Sequence, residues 1–306
     1  MKFSIVTPNY NYGRFLKKAL ESVYSQLAEP ANLPTCEPAN RPADAPAERR
    51  PDIEIEHIVI DGGSTDDSVQ ILKRWDSFVR GTAAAKESRY SFQFVSEPDQ
   101  GQTDAINKGL RRATGDIVAW LNADEWYLPG KLALAAVEFV RHPKTDFLYG
   151  EPLFVDKDGK PLRIRRAHRF SKFVLYGCCC YIASCASFWR RRVLDDGQYL
   201  DASYKVIMDG EYYCRLAKAG YRFRFLPVTV AAFSWHDANV SNVLLKQRRK
   251  EWLDLRKIYF PLPKAFLSKP WKTYKRIRAV GRFWRRVLIL FRLAFFRHNN
   301  GDLLHA

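Results

Sequence analysis

Short β-branched runs alternate with amphipathic stretches through the first half of the chain. Phe3-Ser4-Ile5-Val6-Thr7 predicts a strand, and Arg14 to Gln26 predicts a helix with Phe15, Leu16, Ala19, Leu20 and Val23 along one stripe. A second strand over Ile53 to Ile60 is cut off by Asp61-Gly62-Gly63. Ser64 then reads as the N-cap of a helix from about Thr65 to Trp75, with Asp66 and Asp67 in its first turn. Phe92 to Val95 predicts a third strand, Asp104 to Arg112 a helix, and Asp116 to Leu121 a fourth strand. Near-continuous apolar strands separated by helices imply an α/β fold with a mostly parallel sheet covered on both faces.

The pattern changes after Gly150. Phe147 to Val155 and Pro161 to Arg165 predict a strand pair around the turn Lys157-Asp158-Gly159-Lys160. Asp209 to Ala219 reads as a helix ended by Gly220, followed by strand-like Arg222 to Leu226 and Val228 to Phe233. Residues 28–51 break the scheme: prolines at 30, 34, 38, 42, 46 and 51 exclude helix and interior strand, so this stretch reads as a surface insertion.

Composition narrows the class. The chain has 306 residues, 47% of them hydrophobic, enough for a large core and too apolar for general disorder. Of its six cysteines three are consecutive (Cys178, Cys179, Cys180), a poor framework for bridges, so reduced thiols and a cytoplasmic setting are expected. The start lacks a signal-peptide core.

The net charge of +17 is concentrated at one end. Residues 246–306 hold 17 Lys or Arg against three acids, leaving the first 245 residues close to neutral. This basic segment is rich in aromatics, and its densest part, Phe283 to Phe296, would span about 21 Å as a helix, short of a bilayer core of about 30 Å. The expectation is a domain over residues 1–245 and a basic helical tail lying on an anionic membrane surface, peripheral on its cytoplasmic face. Core packing of the tail on the domain is the plain alternative. Single-stranded nucleic acid competes for the same residues. Acids at the expected cleft argue against it, and no nucleic-acid partner is expected.

Chemistry is expected beyond the carboxyl ends of parallel strands. Those ends read Thr7-Pro8-Asn9-Tyr10-Asn11-Tyr12, Asp61-Gly62-Gly63-Ser64, Glu97-Pro98-Asp99-Gln100-Gly101 and Asn122-Ala123-Asp124-Glu125. Two adjacent carboxylates, Asp124 and Glu125, suit a hard divalent ion such as Mg²⁺ or Mn²⁺ that completes its shell with phosphate and water. Neither G-x-G-x-x-G nor G-x-x-x-x-G-K-[ST] occurs, which weighs against dehydrogenase and ATPase readings.

These segments, with Asp104 to Gly109, Thr114 to Glu125 and Met208 to Gly220, resemble the family 2 glycosyltransferases of GT-A fold over Lys2 to about Ser241. The resemblance implies a nucleotide-diphosphate sugar as donor, a glycan or lipid-linked acceptor, and a role in cell-surface polysaccharide synthesis. It places Thr7, Pro8, Asn9 and Tyr10 at the nucleotide pocket, with Asp61 on the base or ribose, Asp99, and Asn122-Ala123 facing ribose or sugar. Asp124 is implied as metal ligand, with Glu125 and His236 beside it, and Asp209 as the inverting catalytic base, with Glu211 the runner-up. The Gln-x-x-Arg-Trp signature of processive members is missing, which implies addition of single sugars. Glu125 and Gln102 depart from the family pattern and keep open a catalytically inactive nucleotide-sugar binder or scaffold.

Overall fold

A computed structural model describes residues 1–27, 51–237, 239–260 and 270–299. All of the proline-rich stretch except Pro51 lies outside the described residues. The strands are β1 (Lys2–Asn9), β2 (Glu54–Asp61), β3 (Tyr90–Ser96), β4 (Ile117–Trp120), β5 (Trp126–Tyr127), β6 (Phe147–Val155), β7 (Pro161–Ile164), β8 (Ser187–Arg190) and β9 (Phe223–Ser234). The helices are α1 (Gly13–Tyr24), α2 (Ser68–Arg80), α3 (Ala83–Lys86), α4 (Gln102–Arg112), α5 (Lys131–Arg141), α6 (Arg192–Asp195), α7 (Met208–Ala219), α8 (Val240–Val243), α9 (Leu245–Tyr259) and α10 (Pro270–Asn299).

Among the described residues the strands form one nine-stranded sheet in the order β3-β2-β1-β4-β8-β6-β9-β5, with β7 on β6. The first four of these pair in parallel, and antiparallel β8 joins them to the second half. The sheet is therefore mixed, with one parallel half, as expected of the GT-A architecture. Its centre is aromatic: Trp120 meets Trp189 edge-on at 5.3 Å, and Phe147 stacks on Phe223 at 4.7 Å. Helix α1 buries Leu16, Ala19, Leu20 and Val23, the stripe its sequence predicts.

Three local expectations are corrected. Ser64 does not cap α2, which starts only at Ser68 after Asp67, because the Ser64 hydroxyl donates to Asp61 Oδ1 at 2.5 Å. Asp66 lies before that helix and accepts the N–H of Gly13 at 2.9 Å, tying the starts of α1 and α2 together. The two strands expected after Gly220 are one, β9, running through Pro227 with shifts of register against β6.

The basic segment packs on the domain at its start. Glu251 of α9 accepts the N–H groups of Lys205, Val206 and Ile207 at 3.0, 3.1 and 3.1 Å. Helix α10 crosses a π-helical turn at Val174–Cys178, and a Cβ on Gly281 would fall 2.4 Å from Cys178 Cβ. Only glycine permits that approach.

Candidate active site

Register puts the first cluster together. In the parallel ladder Asn9 faces Asp61, and Asp61 faces Ser96, at the carboxyl edge of three strands. Asp61 is fully buried and accepts from Asn9 Nδ2 (2.7 Å), Ser64 N (3.0 Å), Ser64 Oγ (2.5 Å) and Ser96 Oγ (2.6 Å). Burial alone would push its carboxyl up, but the hydrogen bonds from Ser64, Ser96 and Asn9 outweigh burial and hold it below the usual aspartate range. Both oxygens are engaged inside the protein, so Asp61 forms a floor that ties the carboxyl ends of β1, β2 and β3 together.

Asn11 locks the β1 loop above that floor. It takes a left-handed φ of 55°, which asparagine tolerates, and its Oδ1 accepts the N–H of Thr65 at 2.8 Å. Asp99 lies over the β2 turn, where a Cβ on Gly62 would come within 2.5 Å of its carboxylate. Thr7, Pro8 and Asn9 are buried, and the Thr7 hydroxyl meets His57 Nε2 in the core at 2.9 Å; Tyr10 is the exposed residue of that segment.

The second cluster comes from the antiparallel pairing of β5 with β9, which brings the 122–125 turn against 234–236. Ser234 Oγ donates to the Asp124 carbonyl at 2.5 Å, and Asp124 Oδ2 lies 2.9 Å from His236 Nε2. Both side chains are 8% exposed or less as residues, and Phe15 of α1 stacks on the imidazole at 5.4 Å. Burial and the Asp124 carboxylate push the Tyr12 phenol up, so Tyr12 also faces this pair. The β1 loop thus touches both clusters, through Asn11 on one side and Tyr12 on the other.

The neighbouring residues have other work. Glu125 is 1% exposed, and its Oε2 accepts the N–H of Asn122 at 3.0 Å. Burial first, then Asp124, pushes its carboxyl well above the usual glutamate range. Asn122 accepts from Gln102 Nε2 at 2.8 Å, so the residue standing where the family pattern is basic ties α4 to the turn. Ala123 packs with Leu16, Leu20, Val59 and Leu72 beneath the floor.

Asp209 opens α7, where its Oδ1 accepts the N–H of Gly210 at 2.7 Å. Burial pushes its carboxyl above the usual range, against the pull of that hydrogen bond and of Arg165. Glu211 forms a two-point ion pair with Arg215 at 2.9 and 3.1 Å and accepts from Tyr259 at 3.3 Å, leaving Asp209 as the carboxylate of this turn without an ion pair among the described residues.

Residues 4–197 match the profile of Glycosyl transferase family 2. The chain belongs to that family. It is 24% identical over 234 residues to a PGL/p-HBAD biosynthesis glycosyltransferase of Mycobacterium tuberculosis, a match covering 76% of each chain. It is 31% identical over 132 residues to an uncharacterised glycosyltransferase of Nostoc, covering 43% of this chain and 31% of that protein. Among solved structures, S. aureus TarS in complex with UDP matches with a TM-score of 0.57 at 16% identity, over 92% of this chain and 70% of that one. A mannosyltransferase from Pyrobaculum calidifontis in complex with GDP-Man and Mn²⁺ matches with a TM-score of 0.57 at 18% identity, over 97% and 75%. These likenesses give the GT-A fold.

The contacts that several site-shaping residues of this family 2 chain make are not readable from the sequence. Ser96, Ser234, His57 and Phe15 acquire their positions through strand register and packing alone. Glu251 is the clearest omission: it fixes the backbone just before Asp209 from α9, more than forty residues downstream. In the sequence it is one acid in a basic run.

Proposed function

We propose that this family 2 glycosyltransferase moves a single sugar from a nucleotide-diphosphate donor to a glycan or lipid-linked acceptor, with inversion, in the synthesis of a cell-surface polysaccharide or glycoconjugate. The observation that carries this reading is the buried Asp124–His236 pair on the shoulder of the floor organised by Asp61. One carboxylate oxygen and one imidazole nitrogen fit a divalent cation such as Mn²⁺ or Mg²⁺, and His236 Nδ1 is buried without a hydrogen-bond partner among the described residues. When bound, the ion offsets charge developing on the departing diphosphate. No cluster of three or more potential ligands occurs among the described residues, so the diphosphate and water complete the shell in this reading.

Asp209 is the base. It takes the proton of the acceptor hydroxyl as that oxygen bonds to the anomeric carbon and the carbon–diphosphate bond breaks on the opposite face. Its burial favours this role by making the carboxylate a better proton acceptor than an exposed aspartate. Asp61 keeps the nucleotide floor rigid, Tyr10 and Asp99 stand at its mouth, and Glu211 with Arg215 holds α7 in place.

No helix among the described residues is long and apolar enough to cross a membrane. Helix α10 instead exposes Phe283 and Leu290, each 62% exposed, beside Arg276, Arg282 and Arg286, a face suited to lying on an anionic leaflet. Co-sedimentation with anionic vesicles, and not with an oligonucleotide at the same salt, is the expected outcome.

The test of the reaction is turnover of radiolabelled UDP-, GDP- and dTDP-sugars with Mn²⁺. One donor should be consumed, and Asp209→Asn should lose about 10²–10⁴-fold of the rate. Unchanged turnover in that variant moves the base elsewhere.

A further inference from the structure

Three elements turn arginines toward the segment Cys178–Cys180, beside Asp209. Arg165, just after β7, donates to the Cys180 carbonyl; Arg256 of α9 donates to the Cys178 carbonyl at 2.9 Å; Arg285 of α10 donates to the Arg166 carbonyl at 2.7 Å. Backbone carbonyls carry no net charge. Among the described residues neither Arg165 nor Arg285 forms an ion pair with a carboxylate, and Arg285 Nε is buried with no acceptor. Burial disfavours the Arg285 guanidinium as a cation; the Cys179 and Cys178 thiols favour it, and Arg165 and Arg163 repel it. The Cys179 thiol, held down first by its hydrogen bond to Cys178, also faces Arg285, Arg165 and Arg256. A half-buried guanidinium group with no carboxylate against it favours an anion that can join it. Asp209 lies in the field of Arg165, so this vacant positive site adjoins the carboxylate assigned as base.

We propose that Arg165 and Arg285 bind a phosphate group carried by the acceptor, so that the acceptor is a hydroxyl-bearing phosphate ester with its hydroxyl presented to Asp209. This rests on the assignment of Asp209 as base. Two guanidinium forks suit a phosphate geometrically as well as by charge. The acceptor hydroxyl loses its proton to Asp209, its oxygen bonds to the anomeric carbon, and the nucleoside diphosphate leaves; the acceptor phosphate only positions. The same chemistry occurs in a phospholipid headgroup and in a soluble polyol phosphate.

The test begins without metal or donor, so that it does not depend on transfer. Calorimetric titration of the full chain in EDTA with inorganic phosphate should show saturable binding, weakened about tenfold in Arg165→Gln and in Arg285→Gln and partly restored in Arg285→Lys. Thermal melting of each variant checks that it is folded. The second step supplies donor and Mn²⁺ with glycerol 1-phosphate or glycerol, and with phosphatidylglycerol or phosphatidylcholine vesicles. Transfer to glycerol 1-phosphate over glycerol identifies a soluble ester, and transfer to phosphatidylglycerol vesicles identifies a lipid headgroup. Absence of saturable phosphate binding, equal binding in the glutamine variants, or equal transfer to glycerol and its phosphate overturns the proposal. A donor left intact in every arm, with phosphate still bound at the arginines, counts against the transfer reaction and leaves the anion site standing.

Discussion

Asp124 Oδ2 and His236 Nε2 lie 2.9 Å apart although 112 residues separate them in the chain. The contact exists because β5 pairs antiparallel with the end of β9, and Phe15 and Tyr12 close over it from α1 and the β1 loop. In the proposed reaction a divalent cation joins this buried carboxylate and imidazole, and the proposed chemistry turns on that place.

The adjacent carboxyl has a different character. Glu125 is closed off from solvent and burial pushes its carboxyl up, so its loss should not remove a ligand. Glu125→Gln keeps the shape and removes the ionisable group. We expect it to retain transfer within about threefold and to match or exceed the wild-type melting temperature at pH 7–8, because it removes the cost of a buried ionisable group. Loss of transfer on the scale of an Asp124 variant would make Glu125 a ligand after all.

Glu251 links α9 to the backbone just before Asp209, the base of the proposed reaction. Its carboxylate accepts three consecutive backbone N–H groups just ahead of α7. Glu251→Ala leaves these donors unpaired, and we expect a stability loss of about 2–4 kcal/mol in denaturant titration. At temperatures where the variant remains folded, the rate constant for transfer should fall while donor KM stays near its wild-type value, because the donor floor is built from β1 to β3. Glu251→Gln should recover part of the stability. A change confined to donor KM would contradict this link.

His57 gives the fold an acid limit. It is fully buried between the Thr7 hydroxyl and the Tyr90 phenol, and burial pushes its imidazole down to about 3. The unfolded chain protonates His57 near its ordinary value of about 6.5, so between these values the unfolded state binds more protons and stability falls as pH falls. Each pH unit lost below about 6 should cost about 1.4 kcal/mol from this group until the folded value is reached. Melting temperatures measured from pH 7 to pH 4 should drop less steeply in His57→Gln than in the wild type. Parallel curves would remove His57 as the cause.

Strands β1, β2 and β4 were legible because buried parallel strands are largely apolar runs, and the turns that end them carry the polar residues. The same continuity hid which way each side chain points. With no alternation between polar and apolar positions, Thr7 reads as a pocket residue although its hydroxyl faces His57. Strand β8, four residues long, and β5, with two, are too short to show a period, yet one joins the two halves of the sheet and the other builds the Asp124–His236 contact. The 246–306 segment announced its charge and its apolar residues. That Glu251 and Arg256 face inward depends on what α9 packs against, and composition contains no such information.

The most direct test of the catalytic reading is Mn²⁺-dependent release of nucleoside diphosphate from the preferred donor, compared between wild type and Asp124→Asn. The wild type should require the metal and lose activity in EDTA. Asp124→Asn should lose at least about 100-fold in rate and need far more Mn²⁺ for what remains, because a neutral amide is a poor substitute for the carboxylate ligand. Equal release by the two proteins, at equal Mn²⁺ and with the same response to EDTA, would contradict it.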